Sequence, residues 1–196
     1  MKQTIKRKLF RMLALFYPLF YLKYAKEETI YVSAAIAFVA VVIESLRFYS
    51  HNVESFAEKI FSPIAKEEET RRVSGITYMA LGALFCVIFS PRIVAIPVLL
   101  CSIFGDSISS LVSKKYNRIK LFRTKSLEGV FACFGICIIT NLLLLKTLLS
   151  AQGLTLNLAL IISLVVTFFD MLPLPLDDNL STPVGAGFLV AFLGIK

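Results

Sequence analysis

No CxxC pair occurs in this 196-residue sequence, and its four cysteines, Cys86, Cys101, Cys133 and Cys137, all lie in apolar stretches. That pattern excludes a thiolate zinc site and a disulfide framework, and leaves the thiols as packing residues. The one histidine, His51, stands alone in a polar segment and reads as a surface residue. GxxxxGK[ST], GxSxG, HExxH and the kinase HRD loop are all absent. A P-loop enzyme, a nucleophile-elbow hydrolase, a zincin and a protein kinase are thereby excluded. The basic start MKQTIKRK leads into apolar residues 9–22, but no small-residue cleavage site follows. An uncleaved anchor is therefore expected.

What the sequence does have is apolar length. It is 57% hydrophobic with a mean hydropathy of +0.78, well beyond the roughly half-apolar average of soluble domains. A helix needs about 20 apolar residues to cross a bilayer core of about 30 Å, so the chain has room for six or seven crossings and no separate soluble domain. The expected fold is an all-α integral membrane protein, a single domain over residues 1–196 forming one bundle of about seven transmembrane helices. The spans are expected near residues 9–22, 29–48, 74–90, 92–113, 127–149, 155–171 and 180–195. Cytoplasmic loops are expected at about 49–73, 114–126 and 172–180, with a short amphipathic helix near 53–61. The first span is short and carries Arg11 and Pro18, which places Tyr17, Tyr21 and Tyr24 at headgroup depth. Pro97 is expected to kink the fourth span.

The formal charge of +8 sits beside apolar spans rather than on a soluble face, which favours anionic lipid or a nucleotide over nucleic acid. With the N-terminus in the cytoplasm, fifteen bases fall on the cytoplasmic side and five on the other, as the positive-inside rule requires.

Acids inside this apolar chain are the informative residues. A carboxylate at bilayer depth costs about 2.5–3.5 kcal/mol on insertion scales, so one that is kept marks function. Ser102, Asp106, Ser109 and Ser113 follow by four, three and four, forming a polar stripe on one helix face. Ser163, Thr167 and Asp170 form a second stripe, which ends in an acid. Glu44 and Arg47 are spaced to pair on one helix face. Gly75 and Gly82, a heptad apart, offer a close-packing face. Prolines then break the chain at LPLPLDDNLSTP, residues 172–183, with Asp177, Asp178 and Asn179 at the apex. Asp106, Glu128, Asp170 and the Asp177–Asp178 pair thus gather near helix ends on the basic side. Carboxylates, an amide and waters suit Mg²⁺, which bridges substrate phosphates, while Lys and Arg neutralise the remaining phosphate charge. That set describes a nucleotide site at the cytoplasmic face. Phosphoryl transfer needs positioning and charge neutralisation, which helix ends can supply.

GDSISSLVSKKYN at 105–117, KSLEG at 125–129 and LPLPLDDN at 172–179, in this order, resemble the polyprenol kinase family, which includes dolichol kinase, phytol kinase and the CTP-dependent diacylglycerol kinase. RKLF at 7–10, ESLR at 44–47 and SGITY at 74–78 add weaker support, and the resemblance covers nearly the whole chain. It implies transfer of a phosphate, commonly from CTP, to a membrane lipid alcohol of polyprenol, dolichol or geranylgeraniol type at the cytoplasmic face, with Mg²⁺ as cofactor. Asp106, Lys125, Glu128, Asp177, Asp178 and Asn179 match the family's motif positions. By their chemistry, Asp177 and Asp178 with Asn179 are assigned to Mg²⁺ and the phosphates, with Asp170 as a further metal ligand. Lys125, supported by Lys114 and Lys115, is assigned to the triphosphate. Asp106 or Glu128 would orient or deprotonate the alcohol. Two positions depart from the family. Arg11 stands where a histidine is frequent, so no catalytic role is assigned to the first span, and Asp170 stands where a glutamate is frequent.

Three other readings remain open at this level. A CTP-dependent diacylglycerol kinase differs only in its acceptor. A phosphatidate cytidylyltransferase also uses CTP, but its long signature, dense in lysine, aspartate and a histidine followed by glycines, is absent. A small ion-coupled transporter would use acids at the midplane, whereas these lie at helix ends and no inverted repeat is visible. The expected partners are a membrane lipid alcohol, a nucleoside triphosphate and the bilayer, with a homodimer as an option.

Overall fold

The computed structural model describes residues 11–49, 73–116, 118–122, 125–147 and 153–193. Seven α-helices and one small hairpin make up the described residues. A 3₁₀ turn, Met12–Leu15, runs into α1 (Phe16–Lys23). Then come α2 (Lys26–Tyr49), α3 (Gly75–Phe89) and α4 (Arg92–Lys115). Strands β1 (Lys120–Phe122) and β2 (Lys125–Ser126) precede α5 (Leu127–Thr147), α6 (Leu156–Met171) and α7 (Asp178–Phe192).

The local chemistry accounts for several helix limits. Ser74 and Thr155 cap α3 and α6 by accepting the backbone N–H of Thr77 (3.4 Å) and Leu158 (3.3 Å). Asp177 caps α7, its Oδ1 accepting the N–H of Asn179 at 2.9 Å. Pro91 immediately precedes α4, where its missing N–H breaks no helical bond. Pro97 lies one turn further in and α4 continues past it to Lys115, so the expected kink does not interrupt the helix.

Helix α4 is the centre of the bundle, packed by α1, α3, α5, α6 and α7. The small residues let backbones approach. A Cβ added at Gly82 would lie 2.3 Å from the carbonyl oxygen of Asn179, so α3 and α7 can meet this closely only with glycine there. This is the close-packing face expected from Gly75 and Gly82. Asn141 of α5, fully buried, donates to Ala159 O (3.1 Å) and Ser163 Oγ (2.8 Å) and ties α5 to α6. All four cysteines are free and buried, in keeping with a packing role.

Helices α2, α4 and α5 are each long and apolar enough to cross a membrane. The segment Met12–Lys23, α3 and α6 are apolar but shorter. Tyr17 and Tyr21 pack within the bundle. They are buried, 5% and 0% exposed, because a spacing of four puts both on the face of α1 that packs on α4, while Tyr24 alone is exposed. The basic loop also differs from a plain loop. Lys120 pairs with Ser126 and Phe122 with Lys125 in an antiparallel ladder, extended by the Leu127 N–H to Ile119 O bond at 2.9 Å. The expected helix at 53–61 lies outside the described residues, as do RKLF and His51.

Candidate active site

Three helices, the hairpin and the residue ahead of the 3₁₀ turn bring charged side chains together at one end of the bundle. Asp106 comes from α4, Asp170 from the last turn of α6, Asp178 from the first turn of α7, and Lys125 from β2. The Lys125 ammonium lies 2.8 Å from Asp170 Oδ1, 3.5 Å from Asp178 Oδ2 and 3.6 Å from Asp106 Oδ1. One cation therefore touches all three acids. Arg11, just ahead of the 3₁₀ turn, pairs with Asp106 and donates to the Asn179 side-chain carbonyl. Asn179 Nδ2 in turn reaches Gly75 O at 3.5 Å.

Arg11, the three acids and Asn179 line one open pocket. Asp106, Asp170, Asp178, Asn179 and Arg11 form its polar end, while Ala14, Tyr17, Met79, Ala83, Leu99 and Ile103 form an apolar wall. Small-molecule sites likewise combine apolar walls with a few fixed polar groups.

The donor set fits a hard divalent cation. Oxygens of Asp106, Asp170 and Asp178 all lie within 4.8 Å of one another. Asp170 is 3% exposed, and its Oδ2 has no hydrogen-bond partner. An orphaned buried carboxylate oxygen is costly unless something satisfies it. Three carboxylates against two cations also leave the cluster with a net negative charge. Oxygen donors and residual negative charge are what Mg²⁺ requires. Asp178, at the loop end of α7 ahead of the apolar run, has its carboxyl raised above the usual aspartate range by burial, with Lys125 pulling the other way.

Of the residues named from sequence, Asp106, Asp170, Asp178, Asn179 and Lys125 come together. Asp177 does not join the cluster and instead caps α7. Glu128 stands in the first turn of α5, outside the pocket lining, facing Ser126 and the backbone at Arg118 and Ile119. Lys114 and Lys115 are exposed at the end of α4, where Lys115 lies over the Tyr116 ring at 5.2 Å from its centroid. Arg11 is the residue that sequence reasoning set aside. Its signal was available, an arginine inside an apolar run, which by default faces a partner in the protein interior.

The polar stripe on α4 divides. Ser102 lines the pocket with Asp106, whereas Ser113 accepts the Ser126 N–H at 3.1 Å and fastens the hairpin to α4. A Cβ at Gly129 would lie 2.0 Å from Ser113 Oγ, so glycine permits that contact. At the opposite end, cations meet backbone instead. Lys26 Nζ caps the last carbonyls of α3 at Ile88 (3.1 Å) and Ser90 (3.4 Å), and Arg92 donates to Leu22 O. Only the first end pairs cations with acids around a pocket, among the described residues.

The chain is similar to uncharacterized protein RP860 of Rickettsia prowazekii (strain Madrid E), with 26% identity over 182 residues, spanning 91% of this chain and 89% of that protein. No family model matches the chain, and no solved structure matches it.

Proposed function

We propose that the protein is a membrane lipid-alcohol kinase. It transfers the γ-phosphate of a nucleoside triphosphate, CTP by the motif resemblance, to the hydroxyl of an isoprenoid alcohol. The site opens to the cytoplasm, at one end of a bundle of about seven transmembrane helices. The observation that carries this reading is the direct contact between the cluster of three acids and Lys125 and the apolar wall of one pocket. A lipid alcohol and a polyphosphate need such a junction, because one substrate end is apolar and the other highly charged.

In this reading the prenyl chain lies along Tyr17, Met79, Ala83, Leu99 and Ile103, with its hydroxyl directed at Asp106. The alcohol oxygen forms a bond to the γ-phosphorus as the bond to the β-phosphate bridging oxygen breaks. Asp106 accepts the hydroxyl proton, and the nucleoside diphosphate leaves. Arg11 pairs with Asp106 and orients that carboxylate, which serves as a modest base. A modest base suffices, since phosphoryl transfer depends chiefly on positioning and charge neutralisation. Asp170 and Asp178 would hold magnesium, which when bound neutralises phosphate charge. Lys125 then serves the triphosphate.

The test is an assay of detergent-purified protein with γ-labelled CTP and Mg²⁺ against geranylgeraniol, a long polyprenol and diacylglycerol. Label is expected in an isoprenoid alcohol, and Asp106→Asn is expected to remove it. Label in diacylglycerol alone changes the acceptor. Pyrophosphate release from CTP with phosphatidate, and no labelled lipid, overturns the kinase reading in favour of a cytidylyltransferase.

A further inference from the structure

Lys125 holds an unusual position for a residue that is to bind a triphosphate. Its side chain is only 12% exposed, and its ammonium lies within 3.6 Å of oxygens from Asp106, Asp170 and Asp178. Those same three carboxylates form the cation-sized cluster, with ligand oxygens within 4.8 Å of one another. An ion bridging them would lie within a few ångströms of the ammonium. Two cations that close in a poorly solvated pocket repel strongly. Asp170 Oδ2, buried and unpartnered beside the Lys125 contact, offers a ligand atom that the lysine leaves unused.

We infer that Lys125 and a divalent cation are alternative occupants of the Asp106–Asp170–Asp178 cluster, so that cation entry displaces the lysine ammonium. Lys125 is carried by β2, a two-residue strand in a small hairpin, rather than by a long helix, so its side chain can turn outward without moving the bundle. Displacement would release a positive charge at the pocket mouth only when the acids have been neutralised by metal. A nucleotide would then meet a free lysine after the metal is seated. The exchange deepens the kinase reading, on which its link to nucleotide rests, while the exchange itself involves only this chain and a metal ion.

Direct Mn²⁺ titration of the purified protein, without nucleotide or lipid, tests it. Lys125→Met is expected to bind Mn²⁺ about tenfold tighter or more than wild type, and Lys125→Arg, which keeps the charge, to bind as weakly as wild type. Adding Asp170→Asn to Lys125→Met is expected to erase the gain. Removing a cation from three acids endangers folding, so a second readout uses the wild-type protein. Acylation of Lys125 by a small amine reagent, quantified by peptide mass spectrometry, is expected to rise severalfold when Mn²⁺ is added and to stay constant in Asp170→Asn. Lys125 acylation that Mn²⁺ leaves unchanged overturns the exchange, as does a Lys125→Met protein that binds Mn²⁺ no better than wild type. Neither measurement depends on phosphoryl transfer. A protein that labels no lipid but shows the exchange refutes the kinase and keeps the competing-cation site, and a kinase without the exchange does the reverse.

Discussion

Helices α2 and α4 are both 24 residues long, each carries a buried or half-buried acid, and their apolar windows have similar mean hydropathies of 2.1 and 1.8. Their surroundings are opposite. Only 22% of the α2 window is buried, against 67% for α4. Tyr31, Phe38, Val39, Ile43 and Phe48 of α2 face outward, a surface suited to lipid. The acids differ in the same way. Glu44 of α2 accepts the Ser74 N–H (3.2 Å) and the Thr77 hydroxyl (3.1 Å) and pairs with Arg47 at 3.0 Å, so its oxygens serve the start of α3. Asp106 of α4 meets Arg11 and Lys125 beside an open pocket. Hydropathy alone does not separate a lipid-facing helix from a site-bearing one. What separates them is whether the acid's partners secure a neighbouring helix, as Ser74 and Thr77 do for Glu44, or surround a cavity, as Arg11 does for Asp106.

That contrast is broken most sharply at Asp106. Asp106→Asn is expected to lower phosphoryl transfer about 10²–10⁴-fold, measured as label incorporated per folded molecule, since it removes the proton acceptor at the hydroxyl. Survival of activity would make Asp106 a structural acid like Glu44. Next in size is Lys125→Ala. Loss of a charge-assisted contact to phosphate is worth about 1.5–3 kcal/mol, so the nucleotide KM should rise roughly 10- to 100-fold with little change for the lipid. An unchanged nucleotide dependence would move the phosphate site elsewhere.

The other side of the contrast predicts stability effects without loss of chemistry. Glu44→Ala leaves the Ser74 N–H and the Thr77 hydroxyl without their acceptor and should cost about 1–3 kcal/mol in thermal or denaturant unfolding. Turnover per folded molecule should stay near wild type, and a collapse of turnover would place Glu44 with the site. The smallest effect is expected at Phe38, 70% exposed on α2, where Phe38→Leu should change stability by less than about 0.5 kcal/mol. A much larger loss would show that this face is covered by protein.

The helices were legible because apolar runs punctuated by proline, glycine and capping residues are local signals. Each of the seven described helices falls within a few residues of an expected span. Asp106 and Asp170 were legible for a related reason, since a carboxylate in a polar stripe stands out in an apolar chain. The adjacent acids Asp177 and Asp178 were not separable in the same way. Which of them caps the helix and which faces the cluster depends on where the first turn of α7 begins, and only the backbone decides that. The hairpin was missed because KLF and KS are too short to carry a period of two.

By itself, then, the sequence determined an apolar chain of helices with acids and bases gathered near particular helix ends, because periodicity and hydropathy act over a few turns. Tertiary structure decided the rest. It gave α4 the centre, set Glu128, Lys114 and Lys115 apart from the pocket, and brought Arg11 to Asn179 across 168 residues of chain. Convergence of that kind depends on packing distances, such as the approach allowed by Gly82, and no local pattern encodes which distant side chains will share one cation.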